Sequence, residues 1–359
     1  MSASSKRRLE DALMVGREIA ANGDEEPREE KKGIVENVQK FKLGDDNGVF
    51  SVQFDNSGGK AATGLGSGSI QLYSSLKLER IRKLLPGSFI GLPVMSVKFY
   101  PTTTKNLLLA AGADGSISVW DTEKLVHNES IDEPGNQIGA MDFSNDGTYF
   151  ATAGKDKSVR LYDSETLQLK KNYFGVDVLE MESDEISSSE SGHSRKILAL
   201  KFHPDDRDVI LTAGWDHTVK IWDIRTDGVV RTVRGPFVCG DGLDVLGDEI
   251  LTGSWVAHHS LQVWDYASGK MIDELPFPVS DHQGEFLYCA RFWNSKTVVA
   301  GGSGSNDVKI ISRETKTVID SIDGENHCVQ AMDINKKTKK IIFGTSGNIL
   351  KLANIDYDD

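Results

Sequence analysis

One segment recurs along this chain, and its recurrence limits the fold more than any other feature. Each copy reads as an alternating apolar strand, a turn, a second strand ending in small residues, a turn, and a strand ending in an aromatic, often followed by aspartate. The clearest copies end SISVWD, SVRLYD, TVKIWD and LQVWD, with Trp120, Tyr162, Trp222 and Trp264 in the aromatic place. Their spacings are 42, 60 and 42 residues; the same phase reaches Tyr73 and Ile311, each 47 residues further out, and Ala353 another 42 on, making seven copies. VMSVKF at 94–99, IGAMDF at 138–143 and ILALKF at 197–202 alternate with the period of two that a strand requires. No helical periodicity separates them, so βαβ units are excluded and the sheets are antiparallel. A unit of 42 residues cannot bury both faces of its small sheet, whereas a ring of such sheets stacks face against face and closes.

The segments GADGSISVWD, GKDKSVRLYD and GWDHTVKIWD resemble WD repeats. Over about residues 36–353 the resemblance implies an all-β fold, a seven-bladed β-propeller of four-stranded antiparallel blades. Asp114, Asp156 and Asp216, each six residues before Trp120, Tyr162 and Trp222, match the family's turn aspartate that braces the last strand of a repeat. Gly192-His193, 29 residues before Trp222, matches the family's Gly-His pair, whose histidine bonds the turn aspartate. Where the family often has serine in the second strand, this sequence has Ala111, Ala153, Ala213 and Gly253. The resemblance therefore predicts an incomplete His-Ser-Asp-Trp network, with packing compensating for weaker polar bracing. Repeats one, six and seven lack both Trp and Asp. In this family the N-terminal strand completes the last blade; VENVQKFKL at 35–43 is expected to do so here, removing an unpaired edge. The propeller is assigned to residues 35–357.

Residues 1–34 form an arm. Within 6–22, Leu9, Ala12, Leu13, Gly16, Ile19 and Ala20 share one face of a short amphipathic helix, which suits either a partner-docking helix or a partly frayed arm. Lys6-Arg7-Arg8 reads as a minimal basic signal or as solvated charge. The 60-residue spacing exceeds its neighbours by 18, and the excess maps to an acidic, serine-rich insertion at about 172–192. There Ser187, with Glu190 three residues on, is a candidate phosphosite, and phosphate would add about −1.5 to −2 charge. The bland reading is a surface loop.

The formal charge is −13, from 41 basic and 54 acidic residues, which disfavours nucleic acid as the main partner. Three scattered cysteines fit a reducing compartment, and no stretch approaches 18 uninterrupted apolar residues. A cytoplasmic or nuclear protein, neither secreted nor membrane-spanning, is expected. The runs GLGSGS at 64–69 and GGSGS at 301–305 open no helix and lack Gly-Lys-Ser/Thr, so they read as tight turns rather than phosphate loops. Adjacent His258 and His259, with Asp281 and His282, make a poor metal set, and no metal or cofactor is expected. Catalytic signatures are missing, so no catalytic residue is assigned and no enzyme is expected. A hydrolase with a central-channel site is the alternative, carried by fold analogy alone.

Trp215 and Trp255 occupy equivalent places in repeats four and five. The resemblance puts that place in the loop joining the second and third strands, on the narrower face, with His217, His258 and His259 beside the indoles. Arg195 stands in an incoming loop. Either the two indoles anchor a partner or each packs against the next blade. The expected function is a non-catalytic interaction scaffold or adaptor for one or more proteins or peptides, monomeric alone or part of a complex. A substrate-recruiting subunit of a larger assembly such as a ubiquitin ligase is the nearest alternative.

Overall fold

The computed structural model of the protein describes residues 33–44, 47–84, 91–175, 192–280 and 283–356. The chain divides into two units between Gly33 and Ile34, and the second unit is a ring of seven four-stranded sheets. The strand β1 (Val35–Lys42) precedes the first complete sheet, which is β2 (Val49–Phe54), β3 (Lys60–Leu65), β4 (Ile70–Ser74) and β5 (Glu79–Leu84). Blade two is β6 (Val94–Phe99), β7 (Leu107–Gly112), β8 (Ser116–Asp121) and β9 (Val126–Asp132). Blade three is β10 (Ile138–Phe143), β11 (Tyr149–Gly154), β12 (Val159–Asp163) and β13 (Leu169–Tyr173). Blade four is β14 (Ile197–Phe202), β15 (Val209–Gly214), β16 (Thr218–Asp223) and β17 (Val229–Arg234). Blade five is β18 (Leu243–Leu246), β19 (Glu249–Gly253), β20 (Leu261–Asp265) and β21 (Met271–Leu275). Blade six is β22 (Leu287–Phe292), β23 (Thr297–Gly302), β24 (Asp307–Ser312) and β25 (Thr317–Asp323). Blade seven takes β26 (Val329–Asn335), β27 (Lys340–Thr345) and β28 (Ile349–Ile355) from the C-terminal end and β1 from the N-terminal end.

The strand phase read from the repeats is the phase of the fold. All seven repeat positions, from Tyr73 to Ala353, lie in the third strand of a blade. Each packs on the preceding blade: Trp120 joins Ile70 and Leu72, Tyr162 joins Ile117 and Val119, and Trp222 joins Val159 and Leu161. Trp264 joins Val219 and Ile221, and across the seam Tyr73 joins Leu350 and Leu352 of blade seven. Burying a large apolar side chain stabilises by about 1.5–3 kcal/mol, so the aromatics at five of the seven repeat positions each contribute substantially to the contact between neighbouring blades. Second and third strands are covered on both faces and read as continuous buried runs, while fourth strands such as β5 are exposed along most of their length. Close approach fixes Gly344 at the seam, because a Cβ there would stand 2.3 Å from Val49 Cγ1.

The ring closes as β1 pairs antiparallel with β28, from Val35 opposite Ile355 to Lys42 opposite Ile349, with an irregularity between Glu36 and Gln39. Two boundaries shift slightly. The closing strand stops at Lys42 rather than residue 43, and residues 172–173, expected in the insertion, continue β13, where Asn172 and Tyr173 pair with Arg160 and Val159. Among the described residues no helix is long and apolar enough to cross a membrane, and no group of side chains is arranged to hold a metal. The helix expected at 6–22, Lys6-Arg7-Arg8, Ser187, Asp281 and His282 lie outside the described residues.

Candidate protein-interaction face

Blade four carries a complete hydrogen-bonded network, which corrects the expectation of a missing one. The hydroxyl is supplied by Thr212, one residue before the alanine taken for the serine position. Thr212 Oγ1 accepts from Trp222 Nε1 at 2.7 Å and bonds His193 Nε2 at 2.7 Å, and His193 Nδ1 lies 2.7 Å from Asp216 Oδ2. Asp216 also accepts from the Ser194 amide and the Thr218 hydroxyl. A neutral imidazole carrying its proton on Nδ1 satisfies every group in this chain. Blade five keeps the Trp264 to Thr252 bond at 2.9 Å. In blade three Glu133 stands 29 residues before Tyr162, in the histidine's place; it accepts from the Tyr162 hydroxyl at 2.9 Å, from Thr152 and from Arg160, which also pairs with Asp156. In blade two the turn carboxylate of Asp114 accepts from the amide and hydroxyl of Ser116.

This network makes stability depend on pH. Burial pushes the His193 imidazole below its ordinary value, outweighing the hydrogen bond it donates to Asp216. Burial opposes ionisation of Asp216, but bonds from His193, Thr218 and Ser194 hold its carboxyl at about 2. Unfolding releases both groups to ordinary values, so the unfolded chain binds more protons as the solution is acidified. His193 contributes fully above about pH 6.5 and progressively less as pH falls through its lower folded value. Asp216 adds its own loss only between about 3.8 and 2. We expect the melting temperature to fall from pH 7 to pH 5 and the fall to be shallower in His193→Gln; parallel profiles in scanning calorimetry would contradict this.

Polar residues fill the middle of the central channel. The fifth residue of the first strand is Gln53, Lys98, Asp142, Lys201, Arg291 and Asp333 in blades one to four, six and seven, and Asp244 takes that place in the shorter β18. Four of them bridge blades by accepting a backbone amide: Asp333 from Phe54, Gln53 from Phe99, Asp142 from Phe202 and Asp244 from Phe292. Charges pair around the ring, Lys98 with Asp142 at 3.3 Å and Lys201 with Asp244 at 3.9 Å. Arg291, its side chain 5 % exposed, bonds the Asp241 carboxylate and the carbonyls of Asp241 and Ala290. Burial works against the Arg291 charge, and Asp241, Asp244 and Asp333 more than restore it. Above this ring a cavity of about 120 Å³ opens between Phe50, Met95, Leu198, Tyr288 and Gln330, placed there by an irregularity in the first strands.

The same end of the ring presents the two tryptophans. Equivalent residues after the second strand donate a backbone amide to the segment entering the first strand of the same blade: Lys155 to Gln137, Trp215 to Lys196, Trp255 to Phe237 and Ser303 to Phe286. Trp215 and Trp255 are therefore structurally equivalent, 37 % and 38 % exposed. Each indole packs on a phenyl ring of the segment leading into the next blade and still keeps more than a third of its surface exposed. Trp215 stacks on Phe237 with ring centres 6.2 Å apart, and Trp255 meets Phe286 at 4.9 Å. Phe237 also stacks on His217 at 4.6 Å, Lys196 Nζ lies 3.3 Å from the Trp215 ring centre, and Trp215 Nε1 donates to Cys239 Sγ at 3.0 Å. An aromatic staircase thus crosses blades four to six beside the channel mouth.

Of the residues singled out in the sequence, Trp215, His217 and Arg195 line one groove with Phe237. His258 and His259 stand apart from it: both are exposed, and His259 bonds Glu274 of β21, whose carboxylate raises the imidazole above its ordinary value. Phe237, Phe286 and Lys196 lie in the incoming loops GPFVCGD at 235–241, VSDHQGEF at 279–286 and ESGHSRK at 190–196, whose mixed aromatic and charged composition suits a recognition rim, but the sequence did not single them out. Lys196 and Phe286 immediately precede a first strand, and Phe237 stands six residues before one. The signal available was their common position, one loop before the innermost strand.

The family described as WD domain, G-beta repeat matches residues 82–121, 128–163 and 185–223. Each match begins before the first strand of one blade and ends at its third, so the sequence repeat and the blade are out of phase. The chain is 26% identical to a ribosome biogenesis protein WDR12 homolog of Dictyostelium discoideum, over 50% of this chain and 35% of that protein. It is 25% identical to mouse pre-mRNA-processing factor 19, over 64% and 48%, and 28% identical to the target of rapamycin complex subunit LST8 of Saccharomyces cerevisiae, over 36% and 37%. The matches span about a third to a half of the length of these relatives. Repeat sequence, strand phase and a ring closed by its N-terminal strand agree: the chain carries WD repeats and folds as a seven-bladed β-propeller.

Proposed function

We propose that the protein is a non-catalytic interaction scaffold or adaptor whose partner docks across blades four to six beside the channel mouth. The observation that carries this reading is the pair of equivalent, half-exposed indoles, each backed by a phenyl ring of the next blade. Large aromatics held in one orientation lose little ordering entropy when a partner covers them. The channel's ionisable groups support the same reading, since they are engaged with one another and with backbone amides rather than turned toward a substrate. Relatives named as a complex subunit and as biogenesis and processing factors favour a role inside a larger assembly.

Affinity capture from native lysate tests the reading, comparing the wild type with Trp215→Ala/Trp255→Ala after circular dichroism has shown both folded. Each hot spot is worth about 2 kcal/mol or more, about thirtyfold in affinity, so losing one anchor already weakens binding that far and a defined partner should disappear from the double variant. An unchanged set of partners would remove the aromatic staircase from the interface.

A further inference from the structure

We propose that the rim of blades three and four binds a carboxylate-rich peptide segment of a partner protein, seated in the groove beside Trp215. The inference rests on reading this end of the ring as a docking face and names the chemistry of what docks. The groove, about 360 Å³, is lined by Ser194, Arg195, Trp215, Asp216, His217 and Phe237. Lys155 holds in blade three the position Trp215 holds in blade four, as their backbone bonds show. Lys196 lies over the Trp215 ring, and Arg195 precedes it. Arg234 ends β17 opposite Thr218, and the next residue, Gly235, bonds the His217 carbonyl, so Arg234 flanks the groove from the outer side.

Lys196 thus covers the indole, Arg195 lines its groove, and the backbone brings Lys155 and Arg234 to the flanks; none of the four makes an ion pair among the described residues. Nearby carboxylates are already engaged: Asp216 with His193, Ser194 and Thr218, Asp156 with Arg160 and Ser158, and Glu133 with Thr152, Tyr162, Arg160 and Asn136. Burial lowers the Lys196 ammonium below its ordinary value and Lys155 lowers it further, so the cations disfavour one another. An incoming carboxylate relieves that repulsion, guanidinium groups grip it by paired hydrogen bonds, and the Trp215 and Phe237 rings take apolar side chains between the acids. A polyanion such as RNA meets the same cations, but a chain of net charge −13 repels it beyond the patch, which favours a short acidic segment.

Fluorescence anisotropy on the full chain tests this, using a fluorescein-labelled peptide of alternating Glu and Leu, the same peptide with Lys for Glu, and labelled oligouridylate. The Glu peptide should bind and the Lys peptide should not. Affinity should fall at least about tenfold in Lys155→Glu/Arg195→Glu/Arg234→Glu and weaken with added salt. These side chains are exposed, and circular dichroism checks the fold. A control reversal of Lys296, Lys336 and Lys337, in turns between first and second strands, should leave binding unchanged. No binding of the Glu peptide, equal binding by the groove variant, or tighter oligouridylate binding through the same residues would overturn the proposal. So would self-association lost in the groove variant, which would assign the patch to a second copy. A partner that is lost from the tryptophan variant but docks through a neutral segment would defeat this inference alone and leave the scaffold reading standing.

Discussion

Replacing Arg291 by methionine should destabilise the propeller by about 1–3 kcal/mol, because it removes a buried cation from among partly buried carboxylates, of which Asp241, its direct partner, keeps 38 % of its side chain exposed. Methionine fills much of the aliphatic volume, so packing loss contributes little. What disappears is the guanidinium that bonds the Asp241 carboxylate and two backbone carbonyls and lowers the free energy of ionised Asp241 and Asp333. Burial alone raises Asp333 above the ordinary carboxyl value even with Arg291 present, so Asp333 should take up a proton at higher pH once Arg291 is gone. Guanidinium denaturation at pH 7 should show a lower midpoint with an unchanged slope. Adding Asp241→Asn should recover part of the loss, the signature of two coupled groups. A cost below about 1 kcal/mol would mean that channel water, not Arg291, balances these charges.

Thr212→Val tests the other buried polar feature and should cost about 2–4 kcal/mol. Valine matches threonine in shape, so the change removes a hydroxyl and leaves two fully buried groups, the Trp222 indole N–H and His193 Nε2, without a partner. Each unsatisfied buried group costs about 1–3 kcal/mol. Thr63→Val in blade one is the comparison, since the bond the Thr63 hydroxyl donates, to the Gln71 carbonyl, is long at 3.5 Å, and its loss should cost much less. Urea denaturation of both variants decides the matter. Equal costs would make the blade-four network no more than a local strand preference. Indole fluorescence should also change in Thr212→Val, because the hydrogen bond being removed belongs to Trp222.

The off-by-one reading at Thr212 shows where sequence patterning loses its power. Alternation marks register only when one face of a strand is wet. In β15 every residue is buried, so Thr212 and Ala213 look equally internal, and a small residue in the expected place was taken for the missing hydroxyl. Blade three misled in a different way. Glu133 replaces histidine at the same spacing, and a search for histidine passes over a carboxylate that accepts the same bonds.

Seven copies, their phase, the turn aspartates and the strand that closes the ring were all legible along the chain, because each depends on spacing within about 42 residues or on pairing between its two ends. The half-exposure of Trp215 and Trp255 was not, since an indole at a blade rim is covered or open according to where the next blade's Phe237 or Phe286 comes to rest. Charge neighbours were still less visible. Lys98, Asp142, Lys201, Asp244, Arg291 and Asp333 are scattered over more than half the sequence, and Lys155 and Arg195 sit in separate loops with Arg234 at the end of β17. The sequence by itself determined how many sheets form and in what order, because backbone pairing and aromatic stacking are local and repeat. Only ring closure decided which side chains face one another across the channel and along the rim, because those distances depend on the angle between blades, which no single repeat contains.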